Sequence, residues 1–490
     1  MSKFYITTAI PYPNGKPHIG FGFEIIQADV LARYHRLKGD EVFFLTGVDE
    51  HGLKVYRNAQ EEGIGFQDYV DRNSAEFIKL KETLNISYDD FIRTTDKERH
   101  WVGAQKLWRE SLGDIYLKEY EGLYCVGCEA FKNKQDLIDG ECPEHHTKPE
   151  LVKEKNYFFK LTKYKNKIKE LIESDEIEII PKTRKQELLN LLEDADDFSV
   201  SRPVEKLSWG IPVPDDPTQV QYVWYDALAN YITAIGYGRD EDNFNKWWPA
   251  DVHLIGKGIL RFHAIYWPAM LLAANLPLPK SIYVHGYVTM DGEKISKSLG
   301  NVISPEDIVK KYGVDTVRYF LMREISSSED GDFSEKKLED RYNGDLANNL
   351  GNLVSRVAKL IETKLNGELI YNINFLDKEV IEKIKVATDK WHIAILGFTL
   401  HEALTGVWEL LSFANSYIDD KKPWVDNEHP EHILKTLTTI VEIIMAANRL
   451  LEPFLPETSG KILSIFGRKK FDKTNIFRVT KVEPLFPRIK

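Results

Sequence analysis

The stretch that decides the fold is Ile6–Glu24, which reads ITTAIPYPNGKPHIGFGFE. Apolar and β-branched residues from Phe4 to Ile10 predict a strand, the Pro, Asn and Gly residues after it predict a turn, and a helix is expected to begin at His18. A strand, a tight turn and a helix together form the start of a βαβ unit. We therefore expect an α/β fold with a doubly wound parallel sheet.

The turn of this unit has the features of a nucleotide site. The first N–H groups of a helix and its positive dipole end attract phosphate, and His18 adds a further donor there. Gly20 and Gly22 carry no side chains that would keep a base or phosphate away. The same residues also fit a tight corner with a surface histidine, and this segment alone does not separate the two interpretations.

A second segment, Asp291–Asn301, reads DGEKISKSLGN. It places Lys294 and Lys297 in a loop flanked by glycines, a pattern that by itself also fits a solvated basic loop. Together, and in this order, the two segments resemble the H-I-G-H and K-M-S-K-S signatures of class I aminoacyl-tRNA synthetases. The sequence between them is similar to that of methionyl-tRNA synthetases. Two positions differ from the family pattern: Phe21 stands in place of the second histidine, and Ile295 in place of the usual methionine.

Length and composition limit the alternatives. A chain of 490 residues with 43% hydrophobic content is too long for one core and predicts three or four globular modules. Its amino terminus lacks a signal-peptide pattern, and prolines interrupt its longest apolar run, so we expect a cytoplasmic protein. The net charge of −11 does not favour nucleic-acid binding. The expectation of a tRNA partner therefore comes from the motifs.

All three cysteines of the chain lie in one short region. Two C-x-x-C/H half-sites with Cys₃His ligands match a tetrahedral zinc site, and a closed site of this kind is structural. His146 competes for the fourth position, and free thiols are the alternative. The predicted ligands are Cys125, Cys128, Cys142 and His145.

The domain organisation follows from these motifs and from the resemblance. A Rossmann-type catalytic domain is expected at residues 1–113 and 221–290, interrupted at 114–220 by a connective insertion that carries the zinc knuckle. A linker domain with the lysine loop is expected at 291–338, and a helical anticodon-binding domain at 339–490. The insertion is too short for the editing module of isoleucyl, valyl or leucyl relatives. A cysteinyl relative is disfavoured because no cysteine lies near the first signature.

The resemblance also implies the substrate sites. Asp49 follows the predicted strand Glu41–Thr46 and would bind the α-amino group, although an Asp here also fits a helix cap. Aromatic residues suit a thioether, but most such residues in an α/β protein belong to the core. The family's methionine pocket maps onto Ile10, Tyr12, Asp49, Trp224, Ala227, Leu228, Tyr231, Ile259 and His263.

The resemblance assigns the chemistry to a few groups. His18, Lys294 and Lys297 would be catalytic, because attack of a carboxylate on the α-phosphate needs positioning and charge neutralisation. Mg²⁺ would accompany the phosphates of ATP. The implied ATP-binding residues are Gly20, Lys257, Val288, Lys294 and Lys297.

The C-terminal part is predicted to be helical, and the resemblance implies that it reads the anticodon. Asn and Arg side chains can read base edges, and unstacked bases pack on aromatic rings. A polar helix face and a surface tryptophan are the alternative. The implied anticodon-binding residues are Asn348, Asn352, Arg356 and Trp424.

These expectations combine into one function, ATP-dependent ligation of methionine to tRNA(Met) through a methionyl-adenylate. A monomer is expected, since no oligonucleotide-binding barrel is recognised after the helices. Because Phe21 alters the first signature, a catalytically silent tRNA-binding or zinc-knuckle RNA protein stays open as an alternative. Among enzymes, a free-standing adenylating enzyme without transfer to tRNA is a weaker alternative.

Overall fold

The structure is a computed structural model that describes residues 2–132, 137–290, 292–295, 302–425, 430–466, 476–479 and 483–489. The chain divides into two compact units. The first comprises Met1–Glu82 and Ile86–His285, and the second comprises Thr83–Asn85 and Gly286–Lys490.

The first part of the chain contains both strands and helices. The strands are β1 (Lys3–Thr8), β2 (Glu41–Val48), β3 (Asp90–Arg93), β4 (Ile115–Cys125), β5 (Ala130–Lys132), β6 (Glu150–Phe159), β7 (Glu178–Ile180), β8 (Phe198–Ser199), β9 (Ser201–Pro203), β10 (Pro212–Val213), β11 (Asp216–Gln221), β12 (Val252–Gly256) and β13 (Ser281–His285). The α-helices are α1 (Ile19–Leu37), α2 (Leu53–Glu62), α3 (Phe66–Ile78), α4 (Leu80–Thr83), α5 (Val102–Glu110), α6 (Lys165–Glu173), α7 (Thr183–Glu193), α8 (Val223–Leu228), α9 (Asn230–Thr233), α10 (Glu241–Trp247) and α11 (Trp267–Ala273).

A parallel sheet with the order β3-β2-β1-β12-β13-β7 forms the centre of the first unit. From β1 the chain winds outward through β2 and β3, and it later returns to the other side of β1 as β12 and β13. Every residue of β12 and β13 is buried, as expected for central strands covered by helices on both faces. The expected doubly wound α/β fold is confirmed.

One part of the sheet differs from the sequence expectation. Strand β7 lies in the segment assigned to the connective insertion, yet it pairs with β13 at the edge of the main sheet. The second part of the Rossmann-type domain was expected from residue 221, where Tyr222 precedes α8, and the main sheet continues only at β12. A three-residue strand gives too short a pattern to be recognised from the sequence.

The other strands of the expected insertion are antiparallel, and α6 and α7 also lie in this segment. A long ladder pairs β4 with β6 from Ile115↔Phe159 to Tyr124↔Glu150, and β5 and β8 complete this sheet. A second sheet has the order β10-β11-β9. In the sheet formed by β5, β4, β6 and β8, Cys125 is the last residue of β4, and the hairpin to β5 begins there.

The second unit is mainly helical. Its α-helices are α12 (Pro305–Tyr312), α13 (Val314–Glu324), α14 (Glu335–Arg341), α15 (Asn352–Lys364), α16 (Lys378–Leu396), α17 (Leu400–Lys421), α18 (Pro430–Leu451) and α19 (Pro456–Phe466). Its strands are β14 (Val288–Met290), β15 (Glu293–Lys294), β16 (Gly331–Asp332), β17 (Glu368–Ile370) and β18 (Ile476–Arg478). A π-helical segment, Tyr342–Gly351, leads directly into α15. The expected C-terminal helical region is confirmed.

A buried arginine ties the helices of the second unit together. Arg318 of α13 is fully buried, and its guanidinium donates to the carbonyl oxygens of Pro453 and Phe454, each at 2.8 Å, and of Leu84 at 3.0 Å. Its planar guanidinium presents donors on three separate nitrogens, which reach these three acceptors at once.

Among the helices that the structure describes, none is both long enough and apolar enough to cross a lipid bilayer.

Candidate active site

The candidate site lies at the carboxyl edge of the parallel sheet, where β1 and β12 are neighbours. The chain winds in opposite directions from these two strands, and ligands of doubly wound folds bind at such a point. The loops that follow the strands are held together by backbone bonds, from Ala9 N to Leu254 O at 3.1 Å and from Asp49 N to Pro11 O at 3.0 Å. The fold thus brings the ends of β1, β2 and β12 to one place.

A small cavity of about 30 Å³ lies at this edge. This volume corresponds to about one water molecule, so the surrounding side chains nearly fill it. It is lined by all nine residues predicted for the methionine pocket, Ile10, Tyr12, Asp49, Trp224, Ala227, Leu228, Tyr231, Ile259 and His263, and in addition by Ala9 and Asn230. The sequence analysis did not select the last two, although each is adjacent in sequence to a predicted residue.

The wall of the cavity includes a neutral histidine. His263 Nδ1 donates to Ile259 O at 3.0 Å, so Nε2 is the acceptor for the Tyr231 hydroxyl at 2.7 Å. Burial lowers the pKa of His263 to about 4. At neutral pH this side of the cavity therefore presents an uncharged ring.

Asp49 places a carboxyl group at the same cavity. The residue is 3% exposed, and its Oδ1 accepts a bond from His51 N at 3.3 Å. Burial, followed by the nearby Asp226 carboxylate, raises the pKa of Asp49 well above its usual value. A cationic partner would lower the pKa of Asp49 again, since an opposite charge favours the ionised carboxyl.

Two further buried polar groups line the cavity without hydrogen-bond partners among the described residues. These are the Tyr12 hydroxyl and the side-chain oxygen of Asn230, whose amide nitrogen donates to Ala227 O at 2.6 Å. Buried polar atoms usually have partners, because leaving one unpaired costs about 1–3 kcal/mol. The cavity therefore offers polar groups suited to a bound polar molecule.

A buried network behind Asp49 was not foreseen from the sequence. Asp226 accepts bonds from His51 Nδ1 and His100 Nε2, both at 2.6 Å, and His100 Nδ1 contacts Thr233 Oγ1 at 2.8 Å. Burial acts to raise the pKa of Asp226, but the two imidazoles more than offset it, and the pKa is lowered. Asp226 thus remains an anion that holds two histidines behind the cavity.

The first signature lies at the amino end of α1, as expected. His18 is the N-cap residue, and its Nδ1 accepts a bond from Gly20 N at 3.1 Å. A Cβ atom at position 20 would lie 2.9 Å from His18 Cε1, so glycine allows this ring position. Phe21, which replaces the second histidine of the family pattern, is buried and packs edge-on against Phe77 at 5.5 Å between ring centroids.

The remaining candidates for the nucleotide site are distributed over both units. Lys257 begins the turn after β12 in the first unit. Val288 is buried in β14 of the second unit. Strand β14 pairs with β15, where Thr289 lies opposite Lys294. Lys297 and the side chain of Lys294 lie outside the described residues. Their convergence with His18 on one triphosphate therefore stays a prediction.

The four predicted metal ligands form one cluster in which all ligand atoms lie within 4.8 Å of one another. His145 Nδ1 is 3.4 Å from Cys128 Sγ and 3.9 Å from the sulfurs of Cys125 and Cys142. Tetrahedral zinc with Zn–S bonds of about 2.3 Å requires ligand separations of about 3.6–3.8 Å. The cluster therefore fits a tetrahedral metal, and it contains His145 and not the competitor His146.

A glycine makes room for the histidine ligand. A Cβ atom at Gly127 would lie 2.4 Å from the His145 ring, closer than any side chain could fit. The glycine of the C-V-G-C half-site is therefore needed for the approach of the ring to the sulfurs.

The anticodon candidates are found in the second unit. The Arg356 guanidinium lies 4.4 Å from the centre of the Trp424 ring and pairs with Asp419 at 2.8 Å. Asn352 is exposed one turn before Arg356 on α15. Asn348 lies in the π-helical segment, where the spacing is wider than in an α-helix, and its side-chain oxygen accepts a bond from Arg488 Nε at 3.0 Å.

Comparisons with known proteins agree with this geometry. The family model described as tRNA synthetases class I (M) matches residues 4–148 and 135–358, and the model described as the anticodon-binding domain of tRNA ligase matches 377–482. The methionine–tRNA ligase of Thermotoga maritima is 44% identical, over 96% of this chain and 76% of that protein. The corresponding ligase of Bacillus subtilis is 40% identical, over 100% of this chain and 78% of that protein.

A solved structure extends the similarity to three dimensions. Mycobacterium tuberculosis methionyl-tRNA synthetase, in complex with methionyl-adenylate, has a TM-score of 0.93 and 37% identity, with 100% of both chains covered. The fold, the site at the switch point of the sheet and the family matches define the class I aminoacyl-tRNA synthetases. Within this class, the chain belongs to the methionyl-tRNA synthetase family.

The metal cluster yields a prediction that separates the two adjacent histidines. We expect that His145→Ala binds no zinc, because the three sulfurs then have no fourth protein ligand, and that His146→Ala binds one zinc per chain. The measurement is metal content by plasma mass spectrometry after dialysis against a weak chelator. Retention of zinc by His145→Ala with loss from His146→Ala would show that the other histidine is the ligand.

Proposed function

We propose that the chain activates methionine with ATP to methionyl-adenylate and then transfers the methionyl group to the 3′ end of tRNA(Met). The observation that carries this proposal is the cavity at the carboxyl edge of the sheet. Its lining combines aromatic rings, a neutral histidine and one buried carboxyl group, Asp49. This combination suits an α-amino acid with an apolar, polarisable side chain.

The ammonium group and the thioether of methionine each have a suitable partner in the cavity. The ammonium group binds Asp49, whose ionised form it stabilises. The thioether packs against Trp224, Tyr231 and the neutral His263 ring, since sulfur interacts well with aromatic rings. Because the cavity measures only about 30 Å³, its rings shift to admit the side chain. The Tyr12 hydroxyl and the Asn230 oxygen, which lack partners among the described residues, contribute polar contacts.

The nucleotide binds beside this cavity in the proposed arrangement. His18, Gly20 and Lys257 belong to the first unit. The resemblance implies Val288, Lys294 and Lys297 as further ATP-binding residues. The substrate carboxylate is already ionised at neutral pH and attacks the α-phosphate without help from a general base. The charge that develops on the phosphate oxygens is neutralised by His18 and the two lysines. Mg²⁺ bound to the β- and γ-phosphates adds positive charge there.

We assign a structural zinc ion to Cys125, Cys128, Cys142 and His145. The donor set supports this assignment, because four protein ligands fill a tetrahedral site and leave no position for a reactive water. All three cysteines are unpaired, which suits a reducing compartment, and we propose a cytoplasmic location. The monomeric state expected from the sequence stays a prediction.

The second unit is proposed to read the anticodon. Arg356 and Trp424 present a stacked cation and ring, a surface on which an unstacked base can pack. Asn352 precedes Arg356 by one helical turn and offers an amide that can bond to a base edge. Asn348 supports this surface through its bond to Arg488.

The activation step is tested by ATP–pyrophosphate exchange with a panel of amino acids. We expect exchange with methionine and almost none with leucine or norvaline. Asp49→Asn should raise the KM for methionine by about 100-fold or more, since a charge-assisted contact with the substrate is lost. Its thermal midpoint should not fall, because the substitution removes a carboxyl group that is costly to ionise when buried.

The matched control is Asp68→Asn, at an exposed position. It should leave the KM for methionine and the thermal midpoint unchanged. A protein that exchanges with none of the amino acids but still binds tRNA would be the silent binder that Phe21 leaves possible. Exchange with methionine without charging of tRNA would indicate a free-standing adenylating enzyme.

The anticodon assignment is tested by Trp424→Ala. Loss of the stacking ring should reduce kcat/KM for charging of tRNA(Met) by about 10–100-fold, as expected for one stacked base. Exchange with methionine should stay the same, because the amino-acid cavity lies in the other unit. Assays with tRNA(Met) and with an anticodon-altered tRNA provide the comparison. Unchanged charging by the variant would contradict the assignment.

A further inference from the structure

Glu129 follows the metal-ligand candidate Cys128 but is directed into the protein. It is 1% exposed, and its φ of 53° lies in the left-handed region that favours glycine. A glutamate rarely adopts this conformation, and burial of a carboxylate carries a further cost. A residue that is unfavourable in both respects is expected to serve a purpose through its side chain.

The carboxylate of Glu129 is held by two neutral donors. Its Oε2 accepts from the Tyr124 hydroxyl at 2.6 Å, and its Oε1 accepts from Lys54 N at 2.6 Å. The second bond reaches the first turn of α2, directly after the segment from Asp49 to Gly52. A Cβ atom at Gly52 would lie 2.9 Å from Oε1, so this segment lies close against the carboxylate.

The backbone beside Glu129 contacts the other wall of the cavity. Tyr222 donates from its hydroxyl to Glu129 O at 2.5 Å, and Trp224 donates from its indole nitrogen to Cys128 O at 3.2 Å. The Trp224 ring also stacks on Phe262, with 3.7 Å between the ring centroids and 4° between the ring planes. The position of this cavity ring is therefore fixed by a carbonyl of the metal-binding turn.

A buried cation supports the same arrangement. The Arg202 guanidinium lies over the rings of Tyr124 and Tyr222, at 4.9 and 4.6 Å from their centroids. These are the two tyrosines that donate to Glu129. The guanidinium is itself held by the Ser199 hydroxyl at 2.8 Å and by Ser201 O at 2.7 Å. Positive charge behind the two rings makes their hydroxyl groups better donors to Glu129.

We propose that Glu129 is a positioning residue for methionine, which joins the Cys₃His turn to both sides of the amino-acid cavity. Through Lys54 it holds the segment that carries Asp49, and through the adjacent carbonyl it holds Trp224. It touches neither the substrate nor the reacting atoms. The inference rests on the proposed methionine site and adds that the metal-binding turn sets the affinity of that site.

The test compares Glu129→Ala, Glu129→Gln and Tyr124→Phe in the full-length, zinc-loaded protein. Glu129→Ala should raise the KM for methionine in pyrophosphate exchange by at least about tenfold, and leave the KM for ATP within about twofold. Glu129→Gln should recover most of the affinity, since its amide oxygen still accepts from Lys54 N and Tyr124 can accept from its amide nitrogen. Tyr124→Phe loses one of the two donors and should show an intermediate KM.

Two readouts besides activity accompany these assays. The zinc content should stay at one per chain in each variant, and calorimetric titration should show the same weakening of methionine binding without ATP. The matched control is Glu121→Ala, an exposed glutamate on the same hairpin, which should behave like the unmodified protein.

Several results would overturn the inference. An unchanged methionine KM in Glu129→Ala, or equal increases for methionine and ATP, would exclude a positioning role. If Glu129→Ala fails to fold, an unchanged KM in Tyr124→Phe would count against the inference in the same way. If the unmodified protein shows no exchange with methionine, the proposed function fails first, whereas normal exchange with an unaffected Glu129→Ala variant removes only this inference.

Discussion

The site depends on one constraint: an acidic side chain, Asp49, is buried at the carboxyl edge of the sheet with a second carboxylate close by. Ionisation of Asp49 is costly there until a cation arrives. Asp226 cannot share this role, because two histidines already occupy its oxygens. The cavity is therefore prepared for a single positive group, and the neutral His263 wall adds no competing charge.

The rest of the first unit places and encloses this carboxyl group. The parallel order of the strands brings the ends of β1, β2 and β12 together, and α1 directs its amino end toward the same edge of the sheet. The antiparallel sheet beside the cysteine cluster contacts further residues of the site. Its turn at Cys128 and Glu129 holds Trp224 and the segment that begins at Asp49. Residues that bind no substrate thus fix the distance between the charged and the aromatic side of the cavity.

Much of this arrangement could be predicted from the sequence, because its signals are local. The helix expected to begin at His18 has His18 as its N-cap, and the nine residues predicted for the methionine pocket line one cavity. The bonds of Asp226 to His51 and His100 join residues 175 and 126 positions apart, and such pairs leave no periodic pattern. The π-helical segment before α15 and the short edge strand β7 were missed because helix and strand periods assume regular elements of sufficient length.

The central claim is tested most directly by the pH dependence of methionine affinity, measured by calorimetric titration between about pH 5 and 8. The ligand's ammonium group stays charged over this range. Because burial raises the pKa of Asp49, its carboxyl takes up a proton at a higher pH than an exposed aspartate does, and methionine must displace that proton. We predict that the Kd rises toward tenfold per pH unit as the pH falls, with proton release on binding. An affinity that is constant across this range, without proton release, would contradict the account.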